Sequence, residues 1–385
     1  MTSSLRSPLE PPPEPIIAES LRSDSLSVTT SSTRSAGGEA TPWLRAGPRG
    51  HLITSSVALS AGIYGIGAAV PERVLTNADL EKRVETSDEW IVSRTGISER
   101  RIVAEGQATS DLAGEAARRA LDHAGVAAGD LDLVIVATIT PDMPFPGVSN
   151  LVQDRLGARR AAAFDLAAGC SGFIYGLATG AQFIASGLFH RVLVIGADSL
   201  SRMVNWNDRS TCVLFGDGAG AAVLGPVPEG SGLLSFDLGS DGAGAELLCV
   251  EAGGSRLPAT RETVARMQHT IRMNGTEVFK FAVRIIEEST RRALDRAGLT
   301  TADIDCFIAH QANIRILDAA AKRLDLPAER VFNNVHKYGN TSAASVPLAM
   351  VEALSAGRFK EGDTLALVGF GTGLSWASTI LTWTR

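Results

Sequence analysis

The sequence predicts an α/β fold built from two related halves, and three observations carry that expectation. The chain has 385 residues, 45% of them hydrophobic, enough for one large domain or two of ordinary size. From residue 61 onward, strand-like runs alternate with helix-like runs. Finally, "LDHAGVAAGDLDLVIVA" at 121–137 is echoed by "LDRAGLTTADIDCFIAH" at 294–310, with Leu, Asp, Ala, Gly, Asp, Asp and Ile recurring in register. The halves are placed at 57–228 and 229–385.

The first fifty or so residues are rich in Ser, Pro, Thr and Arg, include Pro11-Pro12-Pro13 and lack a periodic apolar pattern. Segment 1–56 is therefore expected to be a disordered extension. Its acids Glu10, Glu14, Glu19, Asp24 and Glu39 argue against a transit peptide. The apolar run 52–70 is interrupted by Thr54, Ser55, Ser56 and Ser60 and followed by Pro71, so it is expected to hold the first strand, 61–68, rather than a membrane anchor. No other stretch is long and apolar enough to span a bilayer. Further strands are expected at 133–138, 191–196, 219–224, 306–309 and 364–369, and helices at 110–124, 173–186, 277–297, 314–324 and 345–356. Two of these helices are apolar or small almost all the way round. The first carries Phe173, Ile174, Leu177, Ala178, Phe183 and Ile184, the second Ala343, Ala344, Val346, Leu348, Ala349 and Met350. Such helices belong inside a protein.

A net charge of -6 with no long basic block excludes nucleic acid as a partner. Four cysteines, Cys170, Cys212, Cys249 and Cys306, lie far apart without metal-ligand spacing, and a chain of this size needs no disulfide staples. A reducing cytoplasm fits that usage.

The echo extends further. "GCSGF" followed by "ASGLF" is mirrored by "GNTSA" followed by "SAGRF", which makes Cys170 and Asn340 equivalent and sets each at the start of a central helix. Helix starts favour the thiolate, through unpaired N–H groups and the helix dipole. Free cysteines more often just fill space, the reading taken for Cys212, Cys249 and Cys306. His310 ends the echoed strand, where α/β folds place chemistry, and the glycines of "LVGFGTGLSW" at 367–376 allow backbone N–H groups to face an anion. His51, His123, His190 and His269 read as structural, and His336, four residues before Asn340, is left open.

Six blocks in order, "TSDEWIVSRTGISERR", "FDLAAGCSGFIYGL", "FGDGAGAAVL", "MNGTEVFKFAV", "HQANIRI" and "YGNTSAASVPLA", resemble the thiolase-fold condensing enzymes. Within them the chain resembles the 3-oxoacyl-(acyl carrier protein) synthase III family, over roughly 61–385. The resemblance implies a layered αβαβα fold with two buried central helices, and a Cys170-His310-Asn340 triad. It implies an oxyanion hole from the backbone of Cys170, Gly371 and Thr372, and decarboxylative condensation of acyl-CoA with malonyl-acyl carrier protein, initiating fatty acid synthesis without a metal or other cofactor. Carried over residue by residue, Trp90, Arg94 and Arg209 are expected at the CoA nucleotide, and Gly275 and Asn313 along the pantetheine. Phe145, in "PDMPFPGVSN", is expected to cap the partner's acyl pocket in a homodimer and to favour short starters. Arg315 and Lys322, seven residues apart on one helix, are expected to meet the acidic carrier protein. Thr372 is a departure, since relatives often show three consecutive glycines there.

Two other enzyme readings compete with this one. A papain-like protease shares the order Cys, His, Asn, but "AGCSGF" lacks the Trp that follows such a cysteine. A specialised-metabolism acyltransferase or polyketide-starter synthase of the same fold is the serious alternative.

Overall fold

The computed structural model describes residues 60–385, so the extension expected at 1–56 lies outside the described residues. Two sheets carry the fold. The first runs in the order Ser60–Ala69, Asp217–Val227, Val192–Ser199, Leu133–Ala137, Ala162–Leu166, with the last three strands parallel. The second runs Cys306–Ala309, Thr364–Gly371, Ser375–Thr382, Gly232–Ser240, parallel only between its first two strands.

All of Leu133–Ala137 and Val192–Ser199 is buried, which is why these strands begin as unbroken apolar runs rather than alternating ones. Their side chains divide by parity: Leu133, Ile135, Val192 and Val194 enter one core, while Val134, Val136, Leu193 and Ile195 enter another. The first core lies between the sheets. It holds Ile174, Leu177 and Ile184 of the helix Gly172–Ala185 and Val346, Ala349 and Met350 of the helix Ser345–Ser355, packed on Ile308, Leu365 and Leu367 of the second sheet. The other core sets the helices Thr109–Ala124 and Val148–Leu156 on the outer face of the first sheet. A third sets Gly275–Ala297 and Ile314–Arg323 on the outer face of the second. Five layers result, α, β, α, β, α.

The expected strands and helices all form, with ends displaced by at most 3 residues. The strands Gly232–Ser240 and Ser375–Thr382 and the helices Asp88–Thr95 and Val148–Leu156 were not anticipated. Each central helix is entered through a 3-10 turn, Gly169–Ser171 or Ser342–Ala344, and the two starts adjoin: a Cβ at Gly172 would lie 3.7 Å from that of Ala343. One expectation needs correction. Gly172 opens the first helix two positions after Cys170, but Ser345 opens the second five positions after Asn340, so Asn340 does not stand at a helix start. The cause is local: Ser342 adopts φ 51, which turns its N–H back onto the Asn340 side chain and delays the helix.

Candidate active site

Two cavities touch at Cys170. One, of about 130 Å³, passes His310, Asn340, Phe279, Asn313, Gly275 and Gly371. The other, of about 230 Å³, is apolar and bordered by Ile139, Leu200, Met203, Val250, Ile271 and Thr372. A larger surface cleft of about 410 Å³, at Arg73, Arg83, Arg202 and Trp206, includes none of the triad, so size alone does not mark the site.

Cys170 is 6% exposed, in the turn that leads into the first central helix. Burial pushes its thiol up to about 12. Desolvation thus outweighs the helix start that the sequence suggested would favour the thiolate. The buried Ser342 hydroxyl has no hydrogen-bond partner among the described residues. Asp198 is held by Thr138 Oγ1 at 3.0 Å, the Ile139 N–H at 2.9 Å and Thr140 Oγ1 at 2.9 Å, and burial raises its pKa.

His310 follows the strand Cys306–Ala309 and is 1% exposed, its ring packed edge-on to Phe370. Burial brings its pKa down to about 3, so the imidazole is neutral. Its Nδ1 lies 2.5 Å from Ser345 Oγ, and the same oxygen accepts the Gln311 N–H at 3.3 Å. The oxygen can accept the Gln311 N–H and donate its own proton to Nδ1 at once, the arrangement in which the imidazole proton lies on Nε2. Asn340 is fixed in the same sense. Its N–H donates to the Leu214 carbonyl at 2.8 Å, and its Oδ1 accepts the Ser342 N–H at 2.9 Å. The Nδ2 group remains to donate. The site therefore holds a neutral thiol and two neutral donors.

Other expected residues fall as follows. Arg209 stacks over the Trp90 ring at 4.8 Å and donates to the Glu85 carbonyl. Arg94 closes the helix Asp88–Thr95, and its carbonyl accepts Asn313 Nδ2 at 3.0 Å. Asn313 also caps the next helix through the Arg315 N–H, so both ends of its amide are engaged within the protein. The Arg315 guanidinium sits over Phe279, whose ring lines the smaller cavity, while Lys322 is exposed on the same helix. Phe145 is 85% exposed and borders neither cavity. Thr372 is not among the residues with positive φ, and its Oγ1 donates to the Leu248 carbonyl at 2.6 Å. Cys212 and Cys306 are buried packing residues, but Cys249 is half-buried and borders the apolar cavity, so it is not simple filling. His336 is exposed, away from both cavities.

Ser342, Ser345 and Asp198 were missed by the sequence reading. The signal available was the serines just after Asn340 in "NTSAAS", polar residues at the mouth of an otherwise apolar helix.

A five-layered α/β molecule with two central helices, one entered just after a cysteine and the other soon after an asparagine, is of the thiolase-fold class. The family models described as 3-oxoacyl-[acyl-carrier-protein] synthase III and its C-terminal part match residues 164–242 and 294–383. A beta-ketoacyl-[acyl-carrier-protein] synthase III of Desulfitobacterium hafniense is 57% identical over 327 residues, 85% of this chain and 99% of that one. The solved beta-ketoacyl-[acyl carrier protein] synthase III of Thermus thermophilus superposes with a TM-score of 0.79 at 54% identity, covering 84% of this chain and 99% of that one. The priming beta-ketosynthase of the R1128 polyketide pathway superposes at 0.80 with 35% identity, over 86% and 99%. The chain belongs to the 3-oxoacyl-[acyl-carrier-protein] synthase III family.

Proposed function

We propose that the protein joins an acyl-CoA starter to malonyl-acyl carrier protein, giving 3-oxoacyl-acyl carrier protein, CoA and CO2, the step that initiates fatty acid synthesis. The observation that carries this is the meeting of two cavities at a thiol flanked by two neutral donors. Acyl-CoA enters along the smaller cavity, with its nucleotide at Trp90, Arg94 and Arg209 and its pantetheine past Gly275 and Asn313. The Cys170 sulfur attacks the thioester carbonyl while the backbone N–H groups of Cys170 and the turn at Gly371 and Thr372 hold the oxyanion. The thiol proton leaves with CoA, and the acyl chain rests in the apolar cavity.

Malonyl-acyl carrier protein follows the same route. Loss of CO2 leaves an enolate whose oxygen accepts hydrogen bonds from His310 Nε2–H and Asn340 Nδ2. Neutral donors suit this step, because an imidazolium would protonate the carbanion that must attack. The enolate carbon then attacks the thioester, Cys170 leaves as thiolate, and one proton from solvent restores the thiol. Apart from that proton, these steps draw only on the chain and its two substrates. The same reading takes 57–228 and 229–385 as the two halves, a homodimer as the working form and the cytoplasm as its location. No helix among the described residues is long and apolar enough to cross a membrane.

A polyketide-starter synthase uses the same steps, and the likeness to the R1128 priming enzyme favours it as the second reading. Purified protein with malonyl-acyl carrier protein and a panel of acyl-CoAs, scored by product mass and CO2, tests both. Intact-protein mass spectrometry tests the nucleophile: wild type gains one acyl mass, Cys170→Ser gains none, and Cys249→Ser behaves as wild type. An adduct of normal amount on Cys170→Ser would defeat the assignment.

A further inference from the structure

The turn at residues 371–372 divides its two positions between the two cavities. Gly371 borders the smaller cavity, which also holds His310 and Asn340, whereas Thr372 borders the apolar cavity. Thr372 is tied at two atoms. Its carbonyl accepts Ser375 Oγ at 2.9 Å, and its Oγ1 donates to the Leu248 carbonyl at 2.6 Å. Its Cγ2 lies 2.5 Å from where a Cβ on Gly169 would stand, so the methyl fills the space that a glycine just before Cys170 leaves open. A β-branched side chain with its hydroxyl tied and its methyl wedged keeps one rotamer. It is a fixed wall beside the nucleophile, not at the far end of the cavity. Leu248, whose carbonyl it pins, borders both cavities.

Resting on the proposed acyl-Cys170 intermediate, we propose that the Thr372 side chain sets the width available to the first carbons of the bound acyl group, and so selects straight-chain starters over those branched at C2. A branch at C2 would project toward Thr372, whereas added length runs on toward Met203, Val250 and Ile271.

The test is the ratio of kcat/KM for isobutyryl-CoA to that for acetyl-CoA, measured within each variant so that any change in oxyanion binding cancels. Thr372→Ala should raise the ratio roughly tenfold, the scale of one methyl group in an apolar pocket. Thr372→Ser, which keeps the hydroxyl and loses the methyl, should raise it in the same direction. Thr372→Val keeps the width and loses the bond to Leu248, and its ratio should stay near wild type. An unchanged ratio in Thr372→Ala and Thr372→Ser overturns the inference, as does a Thr372→Val ratio that rises as much as that of Thr372→Ala. Mass spectrometry of the acyl-enzyme separates the two levels. Normal adduct with an unchanged ratio removes only the role of Thr372, whereas no adduct on wild type from any acyl-CoA removes the acyl-Cys170 reading, and the inference with it.

Discussion

Burial holds the Cys170 thiol neutral at ordinary pH, so in the proposed mechanism it gives up its proton only as the thioester forms. His310 is neutral for the same reason, and that has a consequence for stability. Its folded pKa of about 3 lies below the ordinary 6.5, so the unfolded chain binds the extra proton as pH falls from 6.5 toward 3. Stability present at pH 7 is therefore lost on acidification. At pH 5 the loss is about 2 kcal/mol, set by the unfolded pKa so long as the folded one stays well below 5. Urea unfolding of wild type and His310→Asn at pH 7 and pH 5 checks it: the variant should lack that share of the acid loss, and equal slopes would refute the neutral, buried imidazole. Asn340→Ala should still acquire the acyl group but lose CO2 release from malonyl-acyl carrier protein by roughly 100-fold or more. Separate assays of loading and decarboxylation decide, and normal decarboxylation would remove its role at the enolate. At this scale the internal echo pointed to Cys170, Asn340 and the strand end at His310, and the resemblance joined them into the proposed triad. Ser345 was not, since what a serine does depends on which neighbour takes its proton, and only folding brings the Gln311 N–H and His310 Nδ1 to one oxygen.

The helix Ile314–Arg323 presents cations beside the tunnel. Arg323 is tied to Glu287 at 3.0 Å, whereas Arg315 lies over Phe279, a ring that lines the tunnel, and has no salt bridge among the described residues. Arg315→Glu should raise the KM for malonyl-acyl carrier protein about fivefold, equivalent to ~1 kcal/mol, and leave acyl-CoA loading near normal. Stopped assays of each half-reaction distinguish the two, and equal effects on both would reject a carrier-protein contact. The central elements were legible because strands covered on both faces are continuously apolar and helices between sheets are apolar all round. Gly232–Ser240 was missed because it is an edge strand with only three of its nine residues buried, so Ser, Asp and Gly break its pattern. The place of Asn340 was missed because a helix start cannot be read through a residue as unlikely as Ser342 to take positive φ.

Among the described residues, the least buried of the large hydrophobic side chains is Phe145, 85% exposed in the loop before the helix Val148–Leu156. The strand Ala162–Leu166, an open sheet edge, is only partly buried. An exposed aromatic ring and an unpaired edge together fit the proposed homodimer, in which Phe145 closes the partner's apolar cavity. Phe145→Thr should then move the optimum from acetyl-CoA toward hexanoyl-CoA, because adding methylenes against a packed ring costs roughly 1–3 kcal/mol. The measurement is kcat/KM across acetyl-, butyryl-, hexanoyl- and octanoyl-CoA, with sedimentation to report the dimer, and an unchanged length profile in a dimeric variant would free Phe145 of this role. The five layers followed from the alternation and the resemblance, but the reach of one loop toward another copy is not written in local pattern. In the proposed mechanism the junction of the two cavities also governs traffic. The narrow one serves as the single lane for both substrates, while the wide one is a siding where the first cargo waits. CoA must back out before the carrier protein can drive in, so abundant acyl-CoA should congest the enzyme and slow its own conversion, a jam that more malonyl-acyl carrier protein clears.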